Sequence, residues 1–339
     1  MVSSALAWLL ILLGGAVLWM TALRSIWPVL DIAAPLTFQA LAAVVIGTVA
    51  LLLRWGRGIF LFGCLGVLAI GPSLLTLDAR ESASDVRLPW HQASITRDAV
   101  PTLRLLAINT WHENESLETL RRYIARADAD VVVLSEFGPN KRELLARLKR
   151  RYPYQVSCAE EWACSQALIS RIKFHDSGSR MPDLEGPPLV WAEFRFGESQ
   201  TNKLTVFGTH IYRPSRRFDW HRAQLAGLAR IVQRTEGAIV VAGDFNMTRL
   251  SQSFTDFSIE SNLHVPSRPL ASWPAWPLPL PQVQFDHVFV SRDIDVLQQR
   301  IGGLVGSDHL PLWSAIRLPD KATLIAHRRG DAPEPRPVH

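Results

Sequence analysis

The chain has 339 residues, of which 48% are hydrophobic and 20% are charged, and its formal net charge is +5. This length exceeds one ordinary domain, and so mild a basic excess is compatible with anionic lipid or phosphate ligands, although most surface charge is simply solvated. The first quarter is almost free of charge. The sequence therefore divides into an apolar amino-terminal region and a mixed globular region.

Three apolar runs occupy the amino-terminal region, at Ala5–Leu23, Pro35–Leu53 and Gly58–Leu77. Each run has about 19 to 20 residues, enough to cross roughly 30 Å of hydrocarbon as a helix. We predict a membrane anchor of three transmembrane helices over residues 1–77. A cleaved signal peptide is the alternative for the first run, but a basic leader and a clear cleavage site are missing. A buried core helix is the alternative for the third run, which Gly71-Pro72 interrupts.

The charges between the runs predict an orientation. Arg54 and Arg57 make the second gap the most basic short loop, so the positive-inside rule places this gap in the cytoplasm. Everything after Leu77 then lies across the membrane, although Arg24 is on the side that the rule disfavours. We predict a protein of the bacterial inner membrane, with its globular region in the periplasm.

The cysteines are consistent with an oxidising compartment. Cys158 and Cys164 are the only cysteines outside the apolar runs, and they are six residues apart. The pair could close a small disulfide-bonded ring in the periplasm. The alternatives are two separate thiols or a zinc site, and the missing CxxC pattern disfavours zinc.

The globular region is predicted over residues 102–319, between a polar linker at 78–101 and a disordered tail at 320–339 that is rich in Arg, Pro and His. Repeated apolar strands with amphipathic helices between them favour an α/β sandwich. We predict helices over Ser116–Ala127, Asn140–Arg150 and Arg217–Arg234. The predicted strands include Leu103–Ile108, Val131–Leu134, Tyr154–Ser157, Gln166–Ser170, Val190–Phe196, Lys203–Gly208, Ile239–Val241, a strand through Val290, and Leu312–Leu318.

Oxygen-bearing side chains follow two of the predicted strands at the point where each strand ends. Asp244 and Asn246 come after the apolar run Ile239–Val241, and Glu136 comes after Val131–Leu134. Carboxylate and amide oxygens suit Mg²⁺ or Mn²⁺. An ordinary turn is the alternative for Asp244 and Asn246. For Glu136 the alternative is a carboxylate that reaches solvent or pairs with an arginine.

Two histidines lie at comparable positions. His210 follows the predicted strand Lys203–Gly208, and a structural, hydrogen-bonded histidine is the alternative there. Asp286 and His309 are suited to pair, since a carboxylate orients an imidazole and raises its pKa.

Six motifs in order resemble the endonuclease/exonuclease/phosphatase superfamily, in particular its bacterial branch with amino-terminal membrane helices. They are NTW at Asn109, SEF at Glu136, GTH at His210, GDFN at Asp244 and Asn246, FDHVFVS at Asp286, and GSDHLPL at Asp308 and His309. Each motif alone is weak, but the ordered set is specific and spans nearly all of the globular region. The resemblance implies a four-layered α/β sandwich, in which helices flank two mixed β-sheets. It also implies Mg²⁺-dependent cleavage of phosphate esters.

The resemblance also implies a metal site. Glu136 would hold the Mg²⁺ ion, or Mn²⁺ in its place, with Asn109 close by. Asp308 would be a carboxylate near the metal or behind its ligands. The cation would polarise a phosphoryl oxygen and offset the charge that develops on it.

Catalytic roles are implied for five further residues. Asp244 would position or deprotonate the attacking water. Asn246 and His210 would donate hydrogen bonds to phosphate oxygens in the transition state. His309, oriented by Asp286, would act as a general base or would stabilise the pentacovalent phosphorus, and the resemblance leaves these two roles open.

Two features go beyond the shared motifs. The loop Pro266–Pro281 carries Trp273 and Trp276, which form either a rim that touches lipid or an apolar part of the substrate, or a packed cover over the sandwich edge. Arg213 and Arg222 follow His210 and are suited to recognise a phosphate group, with solvated surface as the alternative.

These observations predict a membrane-anchored, Mg²⁺-dependent phosphoesterase that hydrolyses a phosphodiester or phosphomonoester near the membrane, such as a phospholipid headgroup. A nuclease acting on DNA is the first alternative. The compact domain and the missing basic stripe with aromatic residues disfavour nucleic acid. A catalytically silent relative that binds a partner is the second alternative, and it would lack a ligand of the set, whereas none is missing.

Overall fold

The computed structural model describes residues 3–55, 102–183, 186–196, 202–266, 268–276 and 282–318. These residues belong to two compact units. The first unit comprises the described part of Met1–Arg87 together with Met247–Asp256, and the second comprises the described parts of Leu88–Asn246 and Phe257–His339.

Two apolar helices lie in the described part of the first unit: α1 (Ser4–Leu23) and α2 (Thr37–Trp55), with a 3₁₀ segment at Pro28–Leu36 between them. The stretches Ser4–Leu23 and Pro28–Arg54 are long and apolar enough to cross a membrane. Gly14 and Gly47 bring the two helices into backbone contact, because a Cβ atom on either would lie 2.6 Å from a carbonyl oxygen of the other helix. The third predicted span, Gly58–Leu77, and the predicted linker and tail lie outside the described residues.

A buried carboxylate organises the polar part of the first unit. Asp31 accepts hydrogen bonds from the backbone N–H groups of Gln252 and Ser253, at 2.6 and 2.9 Å. The Ser253 hydroxyl donates to the same carboxylate at 2.7 Å. The Nε atom of Arg24 lies 3.9 Å from Asp31. Asp31 therefore satisfies backbone donors in the first turn of a helix, where negative charge is favoured.

In the described part of the second unit, eleven strands build two mixed sheets. The first sheet has the order β10-β11-β1-β2-β4-β3 and the second has the order β5-β6-β7-β8-β9. Within them β1 is parallel to β2 and β7 is parallel to β8, and the other neighbours are antiparallel. The strands are β1 (Thr102–Asn109), β2 (Val131–Ser135), β3 (Tyr154–Ser157), β4 (Gln166–Ser170), β5 (Asp176–Arg180), β6 (Leu189–Phe196), β7 (Asn202–His210), β8 (Ala238–Asp244), β9 (Asp286–Val290), β10 (Asp295–Ile301) and β11 (Leu312–Arg317).

Successive residues of the central strands face opposite sides of their sheet, so each strand contributes to two packed layers. Val133 and Leu105 of the first sheet share a buried core with Val190, Val206 and Val240 of the second. Gly208 makes this approach possible, because a Cβ atom there would lie within 2.9 Å of the Val133 and Val190 side chains. The opposite face of the first sheet, including Val132 and Leu134, packs on the helices that follow β1 and β2. The central strands are therefore buried on both faces, as their continuous apolar runs predict.

The described part of the second unit also contains the helices α3 (Leu117–Ala127), α4 (Glu143–Leu148) and α5 (Phe218–Gln233). A further helix, α6 (Gln252–Ser261), begins in the first unit and ends in the second. α3 and α4 cover the first sheet, and Phe257 of α6 packs on Phe245 and Phe289 of the second sheet. The fold is a four-layered α/β sandwich with two mixed β-sheets flanked by helices, and this prediction is confirmed.

Several element boundaries differ from the prediction. The helix predicted over Asn140–Arg150 is a 3₁₀ turn at Pro139–Lys141 followed by α4, which ends at Leu148. β5 and β10 were not predicted, because both are edge strands with polar sequences and need no continuous apolar run. α6 was also not predicted from its weakly periodic sequence.

Cys158 and Cys164 are joined by a disulfide bond, and their Cα atoms are 5.8 Å apart. The bond closes the turn between β3 and β4. This result agrees with the pairing that the sequence suggested.

Candidate functional site

Four strand ends meet at one edge of the sandwich. β1 ends at Asn109, which pairs with Ser135, the residue before Glu136. β7 ends at His210, which pairs with Asp244 at the end of β8. Because each pair is parallel, its two strands deliver their last side chains to the same edge. The sheet registers thus bring the predicted polar residues together.

Unusual backbone conformations support this convergence. Glu136 and Asn246 have φ angles of 50° and 49°, in the left-handed region that non-glycine residues rarely occupy. Gly243 has φ 147°, and a Cβ atom there would lie 1.9 Å from the Thr209 carbonyl oxygen. Only glycine allows β8 to approach β7 this closely beside Asp244. Strained residues of this kind are frequent at functional sites.

Glu136, His210 and Asp244 form a group whose ligand atoms all lie within 4.8 Å of one another. The His210 Nε2 atom is 3.7 Å from Glu136 Oε1 and 3.7 Å from Asp244 Oδ2. Both carboxylates are buried. Two buried carboxylates facing each other without a Lys or Arg in hydrogen-bond contact favour a bound cation. The oxygen donors suit Mg²⁺ or Mn²⁺, and the imidazole suits Mn²⁺ better than Mg²⁺, so the residues fit a divalent cation.

The other two predicted metal residues lie outside this group. Asn109 donates from Nδ2 to Glu136 Oε1 at 3.1 Å and to Asp244 Oδ2 at 2.9 Å, while its own Oδ1 accepts from the Trp111 N–H. It therefore bridges the two carboxylates as a donor. Asp308 Oδ2 accepts from the Trp273 indole at 3.3 Å. In this arrangement Asp308 contacts the loop around Trp273.

The two carboxylates have opposite pKa shifts. Burial alone would raise the pKa of Glu136, but the charge of His210 and the hydrogen bonds from Asn109 and His112 outweigh it, so this pKa lies well below its usual range. Burial raises the pKa of Asp244 above its usual range, although the charges of His309 and His210 oppose that shift. Glu136 is thus fixed as an anion, and Asp244 is the better proton acceptor of the two.

His309 and Asp286 form a buried pair beside Asp244. The His309 Nδ1 atom lies 2.7 Å from Asp286 Oδ2, and Nε2 lies 3.8 Å from Asp244 Oδ2. The Ser272 hydroxyl also donates to Asp286 Oδ2 at 2.6 Å. Burial would lower the pKa of His309, but the charges of Asp286 and Asp244 raise it to about 10. The imidazole is therefore cationic at neutral pH, and its ring orientation is fixed.

Asn246 points its amide into the same space. Its Nδ2 atom donates to the Ile211 carbonyl at 3.0 Å and lies 3.2 Å from His210 Nε2. Its backbone N–H donates to Asp244 Oδ1 at 2.8 Å. The Asn246 amide is thus held next to both the histidine and the carboxylate of the cation group.

Two further residues support Glu136 and were not singled out in the sequence. His112 approaches Glu136 Oε2 with its backbone N–H at 2.9 Å and with Nδ1 at 3.0 Å. Lys141 is fully buried, and its Nζ atom donates to the carbonyl oxygens of His112 and Glu136 at 3.1 and 3.4 Å. Burial lowers the pKa of Lys141 to about 8. The adjacent NTW motif could have indicated His112, whereas Lys141 lies in a stretch predicted as an ordinary helix.

Arg213 and Arg222 are predicted to bind phosphate, and the two side chains differ in their contacts with the site. The Arg213 Nη2 atom lies 3.6 Å from Glu136 Oε1, and its side chain is 41% exposed. Arg222 is exposed on α5, and none of its described contacts reaches the carboxylates or histidines of the site. Arg213 is therefore the arginine positioned beside the cation group.

Trp111, Trp273 and Trp276 lie in segments next to site residues, and we call them the tryptophan rim. The Trp273 ring lies 5.5 Å from Phe285 and is fixed by its hydrogen bond to Asp308. Trp111 and Trp276 pack with their ring centroids 5.6 Å apart, and Trp276 is 58% exposed. Trp111 also has a left-handed φ of 51°. The tryptophan rim thus combines an anchored indole with a pair in which Trp276 is exposed and Trp111 is partly buried.

Comparisons with known proteins identify the family and the fold. The model of the Endonuclease/Exonuclease/phosphatase family matches residues 106–309. The endonuclease/exonuclease/phosphatase from Bacteroides vulgatus has a similar fold, with a TM-score of 0.54 at 17% identity over 64% of this chain and 99% of that one. The family protein from Bacteroides thetaiotaomicron gives 0.51 at 17% identity, over 65% and 99% of the two chains. Humanized D. rerio TDP2 gives 0.51 at 15% identity, over 64% and 99%. No curated protein matches the chain.

Proposed function

The chain belongs to the endonuclease/exonuclease/phosphatase family, and we propose that it is a membrane-anchored, divalent-metal-dependent phosphoesterase. Members of this family are generally metal-dependent hydrolases that act on phosphoesters. The observation that carries the proposal is the cluster of Glu136, His210 and Asp244, with the His309–Asp286 pair beside it. We take the ion to be Mg²⁺ or Mn²⁺.

When bound, the cation would be held by Glu136, Asp244 and His210, and it would polarise a phosphoryl oxygen. Asp244 would accept a proton from the attacking water, because burial raises its pKa and makes it the better proton acceptor. Asn109 would hold the carboxylates of Asp244 and Glu136 in fixed positions through its two hydrogen bonds.

His309 would protonate the leaving group and stabilise the transition state. Because its pKa is raised to about 10, it would be protonated at neutral pH and would donate a proton or hydrogen bond rather than accept one. Asp286 would hold the ring orientation. As water attacks phosphorus, the bond to the departing alcohol would break, and that alkoxide would take the proton of His309. These steps support a general-acid and transition-state-stabilising role for His309 over the general-base role.

Phosphate oxygens would be held by neutral and cationic donors around the cluster. Asn246 would donate hydrogen bonds as charge accumulates on the phosphate. The His210 Nε2 atom, which faces both carboxylates, would hold the cation and so would not donate to the phosphate. Arg213 would add a charged donor, being close to Glu136 and partly exposed. Arg222 has no described contact that supports the same role.

The substrate is proposed to be a phosphodiester or phosphomonoester near the membrane, such as a phospholipid headgroup. The two apolar helices of the first unit support an anchor, and the exposed Trp276, packed on Trp111, supports a substrate with an apolar part. The disulfide supports a periplasmic location for the catalytic domain. We propose the catalytic domain to span residues 102–319.

The experiment is a hydrolysis assay of the full-length chain in lipid nanodiscs, with Mg²⁺ or Mn²⁺ and then with EDTA. The substrates are phospholipid vesicles, inositol phosphates, plasmid DNA and single-stranded DNA. Glu136→Gln should abolish turnover, while Glu160→Gln, which changes an exposed carboxylate, should not. Metal-dependent release of inorganic phosphate or of a phosphorylated headgroup from lipid supports the proposal, and nicking of DNA with the same dependence assigns a nuclease instead. Turnover that survives both EDTA and Glu136→Gln contradicts it.

A further inference from the structure

Five arginines line a cavity of about 440 Å³ on the outer side of the first sheet. Arg121 comes from α3, Arg147 from α4, Arg150 and Arg151 from the segment after α4, and Arg171 from the segment after β4. Ala125 and Leu148 complete the lining. We call this the arginine cavity. Its residues come from three separate parts of the sequence.

The arginine cavity lies at the opposite end of the sheet from the cation group. Arg171 follows β4, and its partner Asp128 lies just before β2, whereas Glu136 lies just after β2. Five extended residues, the number from Arg104 to Asn109 along β1, cover about 17 Å. The cavity is therefore separate from the site at the strand ends.

Acidic residues near the cavity are already shared among several arginines. Asp128 accepts from Arg151 at 2.9 Å and from Arg171 at 2.6 Å, and it also pairs with Arg104. Glu118 is shared in the same way by two arginines of α3. Each of these carboxylates thus serves more than one guanidinium group.

The lining therefore carries more positive than negative charge. Glu143 pairs with Arg147 at 2.7 Å, but no described ion pair engages Arg150. Guanidinium groups stay protonated at all physiological pH values. The excess positive charge must be offset by solvent ions or by a bound anion.

We propose that the arginine cavity binds a phosphate-bearing anion, a role distinct from the proposed hydrolysis. The planar guanidinium fork matches two phosphate oxygens at once, so several such forks around one cavity recognise phosphate geometry. The volume falls within the range of about 300 to 1,000 Å³ that is typical of small-ligand sites. The small apolar part of the lining fits a ligand that is mostly charged. The phosphate belongs either to a free small molecule or to a lipid headgroup.

The test measures binding of inorganic pyrophosphate by calorimetry to the full-length chain in neutral phosphatidylcholine nanodiscs. EDTA and the Glu136→Gln background remove cation-dependent binding at the other site. The double variant Arg147→Gln, Arg150→Gln should weaken binding about tenfold, the effect of roughly 1.4 kcal/mol. The matched control is Arg122→Gln, which removes an exposed α3 arginine that is paired with Glu118 but does not line the cavity.

A second titration identifies the source of the phosphate. Dihexanoyl phosphatidic acid, a soluble lipid, should compete with pyrophosphate for the same arginines. If the lipid binds more tightly, the site takes a headgroup, and if pyrophosphate does, it takes a free phosphate compound. The single variant Arg150→Gln breaks no described ion pair, so it keeps the test valid if the double variant misfolds. The proposal is overturned if neither probe binds, or if Arg122→Gln weakens binding as much as the cavity variants do. Both results are independent of hydrolysis.

Discussion

The two ends of the first sheet accommodate negative charge in different ways. At the end formed by Asn109 and Glu136, the carboxylates are buried. The Asn109 side chain and backbone N–H groups donate hydrogen bonds to them, rather than arginine side chains. At the end formed by Arg104 and Asp128, the Asp128 side chain is 47% exposed and is shared by three arginines. The exposed carboxylate already has its counter-charges, whereas the buried ones are arranged around a position that a cation can fill. Solvent-exposed ion pairs contribute little stability, so the contrast reflects function more than folding.

The largest expected effect comes from removing a carboxylate of the cation group. Glu136→Gln or Asp244→Asn should lower kcat/KM on the order of 10³-fold, because several kcal/mol of transition-state stabilisation depend on the cation. Circular dichroism should show an intact fold. Steady-state hydrolysis with excess Mn²⁺ checks the loss, and Glu160→Gln is the exposed control. A loss below about tenfold would remove the carboxylates from the chemistry.

A smaller loss should follow when the buried histidine pair is changed. His309→Gln or Asp286→Asn should lower kcat by about 10²-fold, the lower end of the usual contribution of a positioned acid or base. NMR of the histidine ring in the metal-free protein checks the cause. The His309 resonance should stay in its protonated form up to about pH 9 and titrate near pH 10, and Asp286→Asn should lower that pKa. An imidazole that titrates near pH 6.5 in the wild type would contradict the cationic role.

A still smaller effect should distinguish Arg213 from the arginines beside it. Arg213→Gln should lower kcat/KM about tenfold or somewhat more, because it removes a charge-assisted donor close to Glu136. Arg216→Gln changes an exposed arginine three residues later and should leave kcat/KM within about twofold. Equal losses in the two variants would mean that general surface charge attracts the substrate.

The smallest expected effect is on the free energy of unfolding, and its sign should differ between variants of Asp244 and of Asp128. The folded-state pKa of Asp244 is raised, so its charge opposes folding above the unfolded pKa, and Asp244→Asn should stabilise the metal-free protein. The pKa of Asp128 is lowered, first by the hydrogen bond from Arg104 and then by that from Arg171. Its contribution is present above the unfolded pKa and is lost as pH falls through the folded pKa. Asp128→Asn should therefore cost up to about 1 kcal/mol at pH 7, since the group is half exposed.

Chemical denaturation in EDTA at pH 7 measures both changes in stability. Destabilisation by Asp244→Asn comparable to that of Asp128→Asn would show that the buried carboxylate supports the fold without a cation.

The sequence predicts most of the site because strand ends are local features. A buried strand that stops at Glu136 or Asp244 places that side chain at the end of its strand, which local sequence alone is enough to predict. The sequence alone does not show that His210 joins the carboxylates, since this depends on the parallel register of β7 and β8 and on the close approach at Gly243. Motif order also places Asp308 near the metal or behind its ligands, and this stays a prediction; in the structure Asp308 accepts a hydrogen bond from Trp273.

Interactions between distant parts of the chain account for the rest. β5 and β10 lie at sheet edges, where pairing on one side suffices and the sequence needs no apolar run. The buried position of Lys141 depends on its hydrogen bonds to the carbonyl oxygens of His112 and Glu136. The arginine cavity joins α3, α4 and Arg171, which no local pattern links.

The most direct test of the central claim is a Mn²⁺ titration of the full-length chain in nanodiscs, followed by electron paramagnetic resonance. We predict saturable Mn²⁺ binding that Mg²⁺ displaces, with nitrogen coupling from His210 that disappears in His210→Gln. Binding should be lost in the double variant Glu136→Gln, Asp244→Asn. If Mn²⁺ binds to that double variant as it does to the wild type, the cluster at the strand ends is not the cation site, and the proposed phosphoesterase mechanism fails with it.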